Sequence, residues 1–435
     1  MNTFLLLEYI KQNRLLCLLG LLLCSYFTVQ PWDRHAADAA WVLISLISAG
    51  VIIQKKAKNY SLSTPKELKN IYWVMAAIPV VSIICFITSP LPDLPTRYLE
   101  PDIRWFLAIP MIMAFRELKL TPIWILIAFS CYALSSFLTA MLDTQYLSKL
   151  TIRIDGDENA VPFGMFTATI ALLVLIFFTS EWIKKQFTSK QARLLTRTFL
   201  LLLFSALVIT TYLSGTRAAF ALILIGIVLL YILVYPLKKS ITGITLLLTT
   251  LILLVISNSE SALLQKLLSA PERVSSYFET YDTQSRLKNQ RLEQWIEASC
   301  IFKKHPLTGT GPRSFREAHQ TYGGKEHCDA VQHLKQGAYQ AHSVYFDTLF
   351  SKGLLGIMIF SALILSLIKA MKTRWQSHSD HIRLGCLLLF MAMASHLING
   401  LTLDLWFKNH VMGKNLIVLV LPLALIFHKH TQQPS

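Results

Sequence analysis

Charge is scarce in this sequence. Asp, Glu, Lys and Arg make up 15% of its 435 residues, and the acidic kinds are the scarcer, 25 against 41 basic. A soluble domain carries about 25% charged residues, so the shortage argues against a water-facing globule. Familiar chemical signatures are missing too. No CxxC spacing supports a zinc site. There is no Walker loop, no nucleotide-binding pattern, no acidic metal-binding motif, no internal repeat and no low-complexity segment. No soluble second domain is evident. The run at 15–29 lacks a small-residue cleavage site, so it reads as a first anchor rather than a removable signal peptide.

What is present is apolar. Hydrophobic residues make up 54% of the chain, and mean hydropathy is +0.49. They cluster in runs near the roughly 20 residues that cross a hydrocarbon core. Spans are expected at 15–29, 37–54, 70–88, 103–115, 120–141, 162–180, 196–213, 218–235, 240–256, 343–368, 384–403 and 414–428. The expected fold is an all-α integral membrane protein of about twelve transmembrane helices. Residues 1–256 hold about nine of them, 257–341 form one large loop, and 342–435 hold the rest.

The formal net charge of +16 would point to nucleic acid in a soluble protein. Here the basic residues flank the apolar runs, which makes them orientation signals and excludes nucleic acid as a partner. Lys11, Lys55, Lys66, Arg116, Lys184, Arg197, Lys238, Arg374 and Lys429 fall in one set of connections. The alternate set holds Asp93, Glu100 and Asp102, then Asp155, Asp157 and Glu158. By the positive-inside rule the basic set is cytoplasmic and both termini face the cytoplasm. Loop 257–341 then faces outward, as do the turn at 214–217 and segment 404–413. Within that loop, Leu287, Leu292, Trp295, Ile296, Ser299 and Phe302 predict an amphipathic helix. His305-Pro306 ends it, and Gly309-Thr310-Gly311-Pro312 makes a turn.

Few residues are placed to do chemistry. Arg217 sits between two apolar runs, behind Ser214-Gly215-Thr216, on the side where arginine opposes the charge bias. A snorkelling arginine is the plain alternative, but a forked guanidinium there suits phosphate. Arg286 and Arg291 are either a solvated basic face or, with Arg217, a diphosphate site. His342 opens the next span on the same side. It is either an interfacial residue or a base for a hydroxyl. Asp404 is a weaker candidate to support His342 or an arginine. Cys300 and Cys328 would meet an oxidising periplasm in a Gram-negative cell. There they are either a disulfide or two thiols. His305, His319, His327 and His333 fit no common ligand spacing and read as solvated, so no metal site is expected.

Three ordered elements carry a resemblance: Leu213-Ser-Gly-Thr-Arg-Ala-Ala-Phe220; Arg291-Leu-Glu-Gln-Trp295 with His305-Pro-Leu-Thr-Gly-Thr-Gly-Pro312 and Phe315; and His342-Ser-Val-Tyr-Phe-Asp-Thr-Leu349 with Lys352-Gly-Leu-Leu-Gly356. Together they resemble the O-antigen ligase superfamily of polytopic glycosyltransferases, over about the C-terminal half. The resemblance implies a GT-C-like, partly helical periplasmic loop on an inner-membrane bundle. It implies a glycan donor on undecaprenyl diphosphate, a lipid A–core oligosaccharide acceptor and surrounding membrane lipids, with no metal or other cofactor. Arg217 and Arg291, or Arg286 in its place, would bind the diphosphate, and His342 would be catalytic. Ser343 stands where relatives often have asparagine. A polymerase of the same shape is the alternative, then a protein O-oligosaccharyltransferase. A transporter would show charged or broken helices at mid-membrane, whereas the charges here gather at one face.

Overall fold

The computed structural model describes residues 13–58, 63–145, 160–236, 290–322, 341–377, 379–401 and 409–428. Within them the elements are helical: α1 (Arg14–Val29), α2 (Arg34–Ala57), α3 (Lys66–Ile87), a 3-10 turn (Thr96–Leu99), α4 (Glu100–Glu117), α5 (Pro122–Gln145), α6 (Ala160–Thr179), α7 (Glu181–Gln186), α8 (Lys190–Leu213), α9 (Arg217–Val234), α10 (Gln290–Lys304), α11 (Phe315–Tyr322), α12 (Val344–Trp375), α13 (Asp380–Gly400) and α14 (Asn409–Ile426). No strand occurs among the described residues. Every span expected from the sequence falls on one of these helices except 240–256, which lies outside the described residues. Eight helices are long and apolar enough to cross a bilayer, and α1 and α14 are shorter apolar helices. The chain is an all-α, multi-pass membrane protein.

The helix ends sort into two groups by their contacts. At one end Lys55 meets Glu117 at 3.4 Å, and Arg116 donates to the carbonyls of Phe427 and Ser63. Lys185 reaches Asp380 at 2.6 Å at the same end. At the other end Arg104 pairs with Asp38 at 2.8 Å, and Trp32 donates to Ser135. The basic connections thus share one end of the bundle. The loop-derived helices α10 and α11 share the other.

Burial explains which helices are central. α6 is apolar all round, and 83% of its membrane-length window is buried, as expected of a helix surrounded by others. It packs against α5, α8, α9 and α13. α4 is buried despite Asp102, Arg104, Arg116 and Glu117, because each of these charges has a partner. Unpaired, each would be expensive at that depth.

A separate apolar cluster lies at the loop-rich end. Leu91, Ala298, Ile301, Phe315, Ala318, Ala341 and Phe350 form it, joining the α3–α4 connection, α10, α11 and the start of α12. Phe315 and Phe350 meet edge to face, with centroids 5.0 Å apart. α10 and α11 therefore form a cap with a core of its own.

Candidate active site

The cap is fastened to the bundle through a break in α12. Gly353 has φ 60° and ψ −151°, a region essentially reserved for glycine. In an unbroken helix the N–H groups of Leu354 and Leu355 would reach the carbonyls of Phe350 and Ser351. All four groups are taken up by the loop ahead of α11. Leu354 and Leu355 donate to the carbonyls of Pro306 and Leu307, while Thr310 and Gly311 donate to those of Phe350 and Ser351. In an apolar surround such groups must be satisfied internally. The motifs His305–Pro312 and Lys352–Gly356 are thus two halves of one backbone clasp.

The clasp depends on glycine. A Cβ at Gly353 would lie 2.5 Å from the Leu307 oxygen, and one at Gly309 would lie 2.4 Å from the Phe350 oxygen. Gly309 also has φ +66°. Gly309→Ala and Gly353→Ala are each expected to lower stability by about 1–3 kcal/mol. Thermal unfolding of the detergent-purified chain checks this, with Gly50→Ala as control because a Cβ there meets nothing within 4 Å.

The break also places Lys352. Its Nζ donates to Asp102 in the first turn of α4 at 2.8 Å, and both side chains are almost fully buried. Cys85 donates to the Lys352 carbonyl at 3.7 Å. Three helices are therefore held together behind the break.

His342 lies eleven residues ahead of Gly353, just before α12. It is half-buried and has φ 51°, uncommon for a residue with a side chain. Its surroundings fix it on both sides. Ser343 is extended at the helix N-cap, and the Ala341 carbonyl accepts a 2.9 Å hydrogen bond from Trp295 Nε1. The Trp295 ring stacks on Phe346 at 5.0 Å. Arg291 stands one helical turn ahead of Trp295 on α10, so the segment bearing Arg291 and the segment bearing His342 are brought together.

Arg217 is the first residue of α9 and is exposed. The turn before it is fixed by packing: Gly215 has φ 63°, and Thr216 donates to the Ala160 carbonyl at 2.9 Å. A Cβ on Gly164 would strike Ser214 Oγ at 2.3 Å. Arg217 thus stands beside the unsatisfied N–H groups of a helix start, a ready anion site. α9 and α12 both pack on α13, where Tyr345 donates to the Leu397 carbonyl at 2.8 Å. Arg217 and His342 therefore open two helices that pack on α13, at the same end of the bundle.

Residues 199–361, which carry Arg217, Arg291, His342 and both halves of the clasp, match the O-antigen ligase family model. Over this stretch the chain is similar to the O-antigen ligase family. No match is found among curated proteins. The match supports an enzyme of ligase or polymerase type, similar to glycosyltransferases. Arg286, Cys328 and Asp404 lie outside the described residues. Cys300 is disulfide-bonded, while Cys17, Cys24, Cys85, Cys131 and Cys386 are free.

The cap departs from the sequence reading in two places. The buried stripe of α10 is Gln294, Glu297, Ala298 and Ile301, whereas Trp295, Ile296, Ser299 and Phe302 are half-buried. Polar residues are inside because His319 on α11, expected to be solvated, meets the fully buried Glu297 at 2.7 Å. That hydrogen bond raises the His319 pKa above its usual value, against an opposing effect of burial. A raised folded-state pKa contributes stability that is complete below the unfolded value, about 6.5. The contribution is lost as pH rises through the folded value. The cap of the wild-type protein is therefore expected to resist proteolysis better at pH 6 than at pH 8.5. His319→Gln should flatten that dependence, and an unchanged profile in the variant would count against the pair.

The pairing of Lys352 with Asp102 is not visible in the sequence. The available signal was a lysine inside an apolar run, which demands a partner. Asp102 was legible only as an orientation charge.

Proposed function

We propose that this protein is an O-antigen ligase. It transfers a glycan from undecaprenyl diphosphate to lipid A–core oligosaccharide, with inversion at the anomeric centre. The basic end of the bundle faces the cytoplasm, following the positive-inside rule. Both termini lie there, and the cap faces the periplasm of a Gram-negative cell. The observation that supports the reading is the tether from Trp295 to Ala341 and Phe346, which holds the helix bearing Arg291 against the segment bearing His342.

The chemistry follows from these groups. A lipid diphosphate leaves readily once its charge is stabilised, and fixed guanidinium groups at a low-dielectric surface do that. Arg217 and Arg291 take this role, with Arg286 as the alternative to Arg291. The imidazole of His342 accepts the proton of the acceptor hydroxyl as its oxygen attacks the anomeric carbon. The carbon–oxygen bond to the diphosphate breaks on the opposite face, and the lipid diphosphate departs with the bonding pair. Holding both substrates at one membrane face supplies the orientation.

Deletion of the gene, with analysis of lipopolysaccharide and lipid-linked glycan, tests the reading. A ligase mutant accumulates long polymer on the lipid carrier and displays bare core. Core bearing a single repeat would instead assign the protein as a polymerase.

A further inference from the structure

A cavity of about 600 Å³ opens at the basic end of the bundle, between the ends of α6, α8, α9, α12 and α13. This is the opposite end from His342. It lies outside the chemistry proposed above, and its size is that of an ordinary ligand pocket.

Its charges are not balanced internally. Lys184, Arg197 and Arg383 line it, with Glu181 and Asp380. Both carboxylates are already engaged: Glu181 by Lys184 at 2.5 Å, and Asp380 by Lys185 at 2.6 Å from outside the cavity wall. Among the described residues no carboxylate pairs with Arg197 or Arg383. The Nε of Arg197 is buried with no hydrogen-bond partner. A buried donor without a partner is costly, and its natural complement is an oxyanion that takes a guanidinium in two-point fashion.

Apart from Thr179 and Ser180, the rest of the wall is apolar and aromatic. Leu233 and Leu387 line it with the arginines, as do Trp182, Tyr235 and Trp375. Such rings gather where a bilayer meets water, and basic pockets between spans suit anionic headgroups.

We infer that this cavity binds a phosphate-bearing ligand, with Arg197 and Arg383 on the phosphate and the Leu233–Leu387 side against apolar chain. The apolar wall favours the headgroup of an anionic lipid in the adjoining leaflet over a soluble phosphate compound.

Thermal unfolding of the full chain in uncharged detergent tests this with three probes: phosphatidylglycerol, phosphatidylcholine and inorganic phosphate. Phosphatidylglycerol should raise Tm saturably, and phosphatidylcholine should not. The double variant Arg197→Gln/Arg383→Gln should weaken the half-saturating concentration at least tenfold. Leu387→Trp, which fills the cavity and keeps both arginines, should do the same even if the double variant does not fold. A saturable shift with inorganic phosphate, lost in Leu387→Trp, supports the site and assigns it to a soluble phosphate compound. Equal shifts with the two lipids and none with phosphate would overturn the inference. So would wild-type phosphatidylglycerol or phosphate binding by Leu387→Trp.

Discussion

Glycan transfer is expected to fall by about 10²–10⁴-fold when His342 is replaced by Ala, the range for loss of a positioned general base. The backbone of His342 complicates that variant, because φ 51° is strained for alanine. His342→Asn resolves the matter. Asparagine tolerates the left-handed region but supplies no base, so the same loss should appear with membrane insertion and Tm unchanged. Arg217→Ala should cost about 10²–10³-fold, as for removal of one preorganised charge-stabilising donor. Arg217→Lys should recover only part, since a point charge replaces a fork. In vitro transfer from lipid-linked glycan to purified lipid A–core reads all four variants. Normal rates for both His342→Asn and Arg217→Ala would refute the proposed site.

The second large effect concerns stability. Lys352 and Asp102 form an almost fully buried pair at 2.8 Å. Removing one partner strands a buried charge, at a cost of about 3–5 kcal/mol. Lys352→Ala and Asp102→Ala should each lower Tm well below wild type. Lys352→Met/Asp102→Leu should restore much of the loss, because replacing both charges with apolar groups is close to neutral. Cys85 gives a local readout: it is buried and bonded to the Lys352 carbonyl, so maleimide should reach it in the single variants and not in the double. Additive losses in the double variant would contradict the pairing.

These contrasts show what was legible in the sequence. Bilayer thickness forces long apolar runs, so the helices and their alternation were readable, and α4 only needed extending to Glu100 and Glu117. Arg217, Arg291 and His342 were readable as residues but not as neighbours. The Arg291 helix meets the His342 segment through the Trp295 to Ala341 bond, and sequence spacing cannot show such a bond. The clasp was less legible still. It is made by main-chain groups of residues 306, 307, 310 and 311, so only its glycines leave a mark. The buried stripe of α10 was misread because Glu297 goes inside only where His319 awaits it, on a helix whose polar composition hid it. Lys352 and Asp102 stand 250 residues apart, and no local pattern links them.

The clasp between residues 306–311 and the break at Gly353 also bears on biogenesis. The loop is synthesised before α12, so its partner carbonyls and N–H groups do not exist when it emerges. When α12 enters the bilayer its break is open, and each open backbone group in hydrocarbon costs several kcal/mol. Insertion of that span and docking of the cap are then one event. A chain whose cap has misfolded would carry an unsealed helix, a defect that membrane quality control can recognise before any substrate is met.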